Sequence, residues 1–95
     1  MTKEKILEVI DGYEKRLETL GTEAFEFPRN APPISFERGL CLSHIRTMFP
    51  KMRKFLEEGR VEKTFRWLGF IQGVLWSAGL YSIEELQNHS RPDNK

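Results

Sequence analysis

The sequence holds a single cysteine, Cys41, so no disulfide bond can form within the chain, and a reducing cytoplasm is the compartment that this predicts. The two histidines, His44 and His89, lie far apart and complete no metal motif. Cys41 and His44 are three residues apart on a predicted helix, but zinc needs at least three protein ligands. A cysteine nucleophile also needs an orienting group and an oxyanion site beside its base. We therefore predict no metal, no cofactor and no enzymatic activity.

The sequence also lacks an apolar run that is long enough to cross a membrane. Its most apolar stretch, RWLGFIQGVLWSAGLYS at residues 66–82, has fifteen residues from Trp67 to Tyr81, with Gln72 in the middle. About 20 apolar residues are needed to cross the hydrocarbon layer. The N-terminus has no apolar core of signal-peptide type, and the glycines form no phosphate-binding loop. These absences predict a cytoplasmic protein without membrane contact.

Sustained strand-like alternation is absent as well, whereas apolar residues recur at helical spacing along most of the chain. The pattern predicts an all-α protein, a compact bundle of three main helices and a short C-terminal one. Pro50 falls inside the second helix, but the apolar phase continues through it, so we predict one helix with a kink at this proline. The predicted helices span about 3–20, 36–58, 60–78 and 82–88.

Local signals mark the ends of two of these helices. Thr2 is placed to cap the first helix, and Gly21 to end it. The sequence SIEEL is a capping box, in which Ser82 accepts from the amide of Glu85 and Glu85 reaches back. These signals predict the bounds of the first and last helices.

A chain of 95 residues forms one domain at most, which we place at 1–88, followed by a flexible tail at 89–95. The segment 21–34 is a connector, because its prolines are incompatible with a helix interior. We expect at least one of its aromatic rings, Phe25 or Phe27, to fold back onto the core.

Charge is unevenly spread along the sequence. Residues 1–37 hold five basic and eight acidic side chains, whereas residues 38–66 hold eight basic and three acidic ones. The two regions are expected to attract one another, within one chain or between copies. A net charge of +1 argues against binding to a nucleic-acid duplex, so a nucleotide or an acidic protein surface is the better match for the basic region. The alternative is an ordinary solvated face with ion pairs along the helices. The candidate anion- or partner-binding residues are Arg38, Arg46, Lys51, Arg53, Lys54 and Arg60.

The third predicted helix carries apolar residues on more than one face, and a helix of this kind is usually buried on most sides. Gly69, Gly73 and Ser77 lie four residues apart and form a row of small residues on one face. This row either packs against the first or second helix within the chain or contacts another molecule. We expect a homo-oligomer, most simply a dimer, formed through the first and third helices. The candidate oligomer or partner face consists of Trp67, Phe70, Val74, Gly69, Gly73 and Ser77.

The block EKTFRWLGFIQGVLWSAGLYSIEELQNHSRP, from Glu62 to Pro92, resembles the C-terminal end of a family of small, uncharacterised helical proteins encoded by bacteriophages and prophages. The shared features are an aromatic and glycine-rich helix, a G-x-Y-S/T cap and a final N/H-x-R-P. The resemblance implies a phage accessory protein in the bacterial cytoplasm. From this setting we expect non-catalytic protein binding that modulates or inhibits a host component, such as an antiviral defence protein. The alternatives are a nucleotide-signal sponge with a basic groove and a phage morphogenesis or replication accessory protein.

Overall fold

A computed structural model describes residues 2–30 and 38–91. The described residues form α-helices without any strand, as the sequence predicts. Within these ranges the chain forms five helices: α1 at Lys3–Thr19, α2 at Arg38–Arg46, α3 at Met48–Glu57, α4 at Val61–Ser77 and α5 at Ile83–Ser90.

The predicted first and third helices correspond to α1 and α4. Their observed bounds agree with the predicted ones to within one residue. The predicted start of the second helix at residue 36 and the end of the connector at 31–34 lie outside the described residues. The last four residues of the predicted tail, 92–95, also lie outside them.

Both ends of α1 follow the local signals in the sequence. The Thr2 hydroxyl accepts a hydrogen bond from the backbone N–H of Lys5 at 3.1 Å. At the other end Gly21 has a φ of 76°, a conformation that a glycine adopts without steric cost. The backbone N–H of Thr22 then donates to the carbonyl of Leu17 at 2.9 Å, which completes a Schellman motif. The predicted cap and stop of this helix are confirmed.

The predicted kinked helix is wrong, because the chain forms two helices there. The backbone N–H of Thr47 donates to the carbonyl of His44 at 2.9 Å, and α3 begins at the next residue. Pro50 is therefore the third residue of α3, in a first turn whose N–H groups have no partner inside the helix. Thr47 keeps helical angles (φ −71°, ψ −15°), so the apolar phase continues across the break.

The core is built from apolar side chains of all five helices. On α1 the core takes up Ile6, Val9, Ile10, Tyr13 and Leu17, whereas Leu20, just after the helix, is 50% exposed. The first helix therefore offers no exposed apolar seam for the predicted self-association. The buried apolar residues are Ile6, Val9, Ile10, Tyr13, Leu17, Leu42, Ile45, Met48, Phe49, Met52, Leu56, Leu68, Ile71, Leu75 and Leu86.

The connector docks along α2 in its described part. The backbone N–H of Phe25 donates to the carbonyl of Ser43 at 3.1 Å, and that of Phe27 donates to His44 Nδ1 at 3.1 Å. The Phe27 ring also packs against the imidazole, with ring centroids 5.9 Å apart. The Phe27 ring thus folds back onto His44 of α2, whereas Phe25 is 52% exposed.

The capping box at the start of α5 is present. The Ser82 hydroxyl accepts from the N–H of Glu85 at 3.1 Å, and the Glu85 carboxylate accepts from the N–H of Ser82 at 2.8 Å. The helix extends to Ser90 instead of ending near residue 88, because the side chains of His89 and Ser90 are both hydrogen-bonded to the rest of the bundle.

Candidate interaction surfaces

One side of α4 faces the core, and the opposite side is uncovered. Gly69, Gly73 and Ser77 are all exposed on that opposite side. A Cβ atom added to Gly69 or Gly73 would meet no atom within 4 Å. Within the described part of the chain, no other helix therefore packs against the row of small residues, and its interpretation as an intramolecular contact is wrong.

Large apolar side chains surround this row. Phe70 is 55% exposed and Trp76 is 53% exposed, and Ile83 at the start of α5 is 56% exposed. We use the term outer face for these three residues together with the row of small residues, Gly69, Gly73 and Ser77. None of the six carries a charge.

A groove of about 540 Å³ opens between α4 and α5 beside the outer face. Trp76 and Ile83 line it, together with Gly73 of the row. Gln72 and Leu86 also contribute to its lining. The groove gives the outer face a concave part that is able to accept a side chain of another molecule.

The three large members of the predicted partner face, Trp67, Phe70 and Val74, differ in their exposure. Trp67 is half-buried, and its ring packs edge-to-face on Phe55 of α3, with centroids 4.8 Å apart. Val74 is half-buried against the core as well. Phe70 alone belongs to the outer face, so the candidate partner surface is narrower than the sequence predicts.

Two of the candidate basic residues hold α1 against the following helices. Arg53 Nη2 lies 2.6 Å from Asp11 Oδ1 and 2.6 Å from Glu14 Oε1. Arg46 Nη2 lies 3.1 Å from Glu18 Oε2. Burial disfavours the charge of Arg53, but the hydrogen bonds to the two carboxylates outweigh it and raise its pKa. The expected attraction between the acidic and basic regions is observed within the chain.

Lys51 and Arg60 have carboxylate partners too. Lys51 Nζ lies 2.8 Å from Glu26 Oε1, and its hydrogen bond and charge hold the pKa of Glu26 below the usual value. Arg60 Nη1 lies 3.5 Å from Glu58 Oε1. Lys54 is exposed and forms no ion pair with any described residue.

The candidate basic surface is thus largely neutralised by the chain itself. Four of its six members hold carboxylates, and the side chain of Arg38 lies outside the described part. A phosphate at this surface has to displace carboxylates that are already bonded. The arrangement fits a structural role better than a groove for anions.

A hydrogen-bonded network that the sequence did not predict joins α1, α4 and α5. Gln72 Nε2 donates to the Tyr13 hydroxyl at 3.0 Å and to Ser90 Oγ at 2.9 Å. The Tyr13 hydroxyl lies 3.0 Å from His89 Nδ1. Since the Tyr13 oxygen accepts from Gln72, its own proton is free to donate to that nitrogen.

Aromatic contacts surround this network. The Tyr81 ring lies 5.5 Å from Tyr13 and 5.0 Å from His89, and the Arg16 guanidinium lies 5.1 Å from the Tyr81 centroid. Burial raises the pKa of Tyr13, although the hydrogen bond from Gln72 partly offsets it. A phenol that holds its proton more firmly is a weaker acid and stays neutral near pH 7, so the arrangement suits a structural role.

The one feature of the sequence that points to the network is the position of Gln72. Gln72 follows the buried Leu68 by four residues, at the edge of the core-facing side of α4. In the sequence, Gln72 argues only against a membrane span, and His89 and Ser90 fall in the predicted tail. Their meeting with Tyr13 depends on how three helices pack.

Cys41 and His44 lie on α2, and the Nδ1 atom of His44 is engaged by the connector. Residues 2–30 and 38–91 contain no cluster of three or more histidines, cysteines or carboxylates that could hold a metal ion. Within the same ranges no helix has the length and apolar character needed to cross a membrane.

No protein-family model, no curated protein and no solved structure matches the chain. The resemblance to phage proteins therefore stays a prediction. The geometry of the chain itself, above all the outer face, is the ground for its function.

Proposed function

We propose that this chain is a non-catalytic accessory protein that acts by binding other proteins through its outer face. The observation that carries the proposal is the uncovered apolar surface around Gly69 and Gly73. Single exposed apolar residues are common on soluble proteins, but an uncharged cluster of this kind is typical of an interface.

The two glycines strengthen this argument. A glycine inside a helix costs about 1 kcal/mol relative to alanine. Neither Gly69 nor Gly73 has a positive φ, and neither is in close contact with another part of the described chain. Nothing in the described fold therefore offsets their cost. A helix of another molecule that approaches α4 closely would benefit from the missing side chains.

The biological role follows from the predicted phage setting. The chain acts in the bacterial cytoplasm, as a homo-oligomer, and modulates or inhibits a host protein, with antiviral defence proteins as one class of target. A role in phage morphogenesis or replication is the alternative within the same mode of action. A nucleotide sponge is the less favoured alternative, because the basic residues that would hold phosphate are paired with carboxylates.

The proposal is tested by affinity capture from a bacterial lysate with three forms of the protein. These are the wild type, the outer-face variant Gly73→Arg and the matched control Leu20→Arg, because Leu20 is 50% exposed at the end of α1. Proteins captured by the wild type and the control should be lost from Gly73→Arg. The proposal is overturned if all three forms capture the same proteins in equal amounts.

A further inference from the structure

We infer that the occupant of the outer face is a second copy of the chain, whose α4 packs antiparallel to the first about a two-fold axis beside Gly73. The inference rests on the proposed function, since it names the molecule that covers the same face. Three observations support it: the arrangement of large and small residues around Gly73, the charges at the two ends of α4, and the position of the groove.

The outer face is complementary to itself. At 3.6 residues per turn, Gly69 and Trp76 lie about 40° and 60° to one side of Gly73, and Ser77 and Phe70 lie at similar angles to the other side. An antiparallel two-fold pairing reverses the direction along the helix and keeps each side in place. Trp76 of the second copy therefore lies over Gly69, and Phe70 of the second copy lies over Ser77. Each large ring meets a small residue.

The charges at the ends of α4 favour the antiparallel direction over the parallel one. The first turns of α4 carry Glu62, Lys63 and Arg66, with a net charge of +1. The opposite end leads into the first turn of α5, where Glu84 and Glu85 are exposed. An antiparallel pair places the basic end of each copy beside the acidic end of the other, and the two helix dipoles oppose favourably. A parallel pair brings like charges together.

The Arg66 side chain is available for such a contact. It is 66% exposed, and its distance of 3.9 Å to Glu62 is close to the limit of an ion pair. The first turns of α4 and the first turn of α5 are thus both accessible to a second copy.

The groove lies where the pairing requires space. It borders Gly73 and Gln72 on the side of α4 that carries Trp76, and Arg91 also contributes to its lining. Trp76 of the second copy, placed over Gly69, reaches this part of the groove. The symmetry supplies two such contacts, one in each copy, and both bury a ring that is half exposed in the single chain.

Disulfide trapping tests both the partner and the direction. In a Cys41→Ser background, Gly73→Cys should form a disulfide-linked dimer on oxidation, because the two positions meet at the axis. A mixture of Gly69→Cys and Ser77→Cys chains should cross-link with each other, whereas Gly69→Cys alone should not. Glu57→Cys, exposed at the end of α3, is the control and should remain monomeric.

Sedimentation of the wild-type chain over a range of concentrations completes the test. A reversible dimer that Gly73→Arg abolishes and Leu20→Arg retains supports the inference. A strict monomer, or self-linking of Gly69→Cys, overturns it. A strict monomer removes only the homo-oligomer from the proposed function. Host binding through the outer face keeps its own test, which is the loss of captured proteins in Gly73→Arg. Conversely, a trapped dimer with unchanged capture supports the second copy and contradicts host binding through this face.

Discussion

Gln72 of α4 donates a hydrogen bond of 3.0 Å to the hydroxyl of Tyr13 on α1, and the same amide nitrogen holds Ser90 of α5. Tyr13 is 2% exposed, so the bond lies at the edge of the core. Through its two hydrogen bonds, Gln72 joins α5, the last described helix, to α1, the first. The groove and the outer face both depend on α5, and their geometry therefore depends on this network.

Removing the Tyr13 hydroxyl should destabilise the fold. Tyr13→Phe keeps the ring but leaves His89 Nδ1 and one hydrogen of the Gln72 amide without their partner. Leaving such groups unpaired costs about 1–3 kcal/mol. We expect a loss of about 1–2 kcal/mol in the free energy of unfolding, measured by urea denaturation. Phe25→Leu, a change at a half-exposed ring outside the network, is the control and should stay within about 0.5 kcal/mol. Equal stability of Tyr13→Phe and the wild type would contradict a structural role for the network.

The raised pKa of Tyr13 predicts a dependence of stability on alkaline pH. The folded chain holds this proton more firmly than the unfolded chain, in which the phenol titrates near 10.0. Stability therefore falls as the pH rises above that value and continues to fall up to the folded-state pKa. The difference in urea midpoint between the wild type and Tyr13→Phe should shrink over this range. A difference that stays constant between neutral pH and pH values above 10.0 would show that Tyr13 titrates alike in both states.

The features that were predictable from the sequence are local ones. The caps and stops of the helices are hydrogen bonds between residues at most five positions apart, as at Thr2, Gly21 and the Ser82–Glu85 box. Both partners of each bond are therefore visible in one short stretch of sequence. The break at Thr47 was not predictable in this way. At this residue the helical hydrogen bonds are interrupted, but the backbone angles stay helical. The spacing of the apolar residues is therefore the same with or without the break.

The hydrogen-bonded network and the exposure of the row of small residues both depend on contacts between residues that are far apart in the sequence. Tyr13 and His89 are joined only because α1 and α5 both pack beside Gln72. The spacing of Gly69 and Gly73 in the sequence is the same whether or not another helix of the chain packs against them. Periodicity alone left both alternatives open, and the packing of the helices decided between them.

The ion pairs between α1 and α3 should contribute modestly to stability. Arg53 bridges two carboxylates at 2.6 Å, but about a third of its side chain is exposed, and solvent weakens the interaction. Arg53→Ala should lower the free energy of unfolding by about 0.5–1 kcal/mol, and the loss should diminish at high salt. Lys54→Ala, the neighbouring change without an ion pair among the described residues, should have little effect. A salt-independent loss would show that packing of the Arg53 stem, and not its charge, stabilises this contact.

The capping box should stabilise the start of α5. Ser82→Ala removes the acceptor for the Glu85 amide and should cost about 1 kcal/mol in thermal or urea unfolding. The backbone N–H of Ser82 donates to the Glu85 carboxylate and, with the smaller effect of the Ser82 hydroxyl, lowers its pKa. This contribution is therefore present above the unfolded-state pKa and is lost as the pH falls through the folded-state pKa. Glu85→Gln keeps an acceptor and should remove the acid dependence; if it leaves that dependence unchanged, another carboxylate is responsible.

The glycines of the outer face should show opposite effects on folding and on binding. Alanine at position 69 or 73 favours the helix by up to about 1 kcal/mol, and the added methyl group meets no atom of the described chain. Gly69→Ala and Gly73→Ala should therefore raise the urea midpoint of the dilute protein. The same methyl group holds an approaching helix away, so the variants should weaken self-association in sedimentation experiments. Gly12→Ala, a change at another helical glycine with open space around it, is the matched control. It should raise stability alone, because Gly12 lies on α1, away from the outer face. Variants at positions 69 and 73 that gain stability and bind as tightly as the wild type would show that these glycines serve no interface.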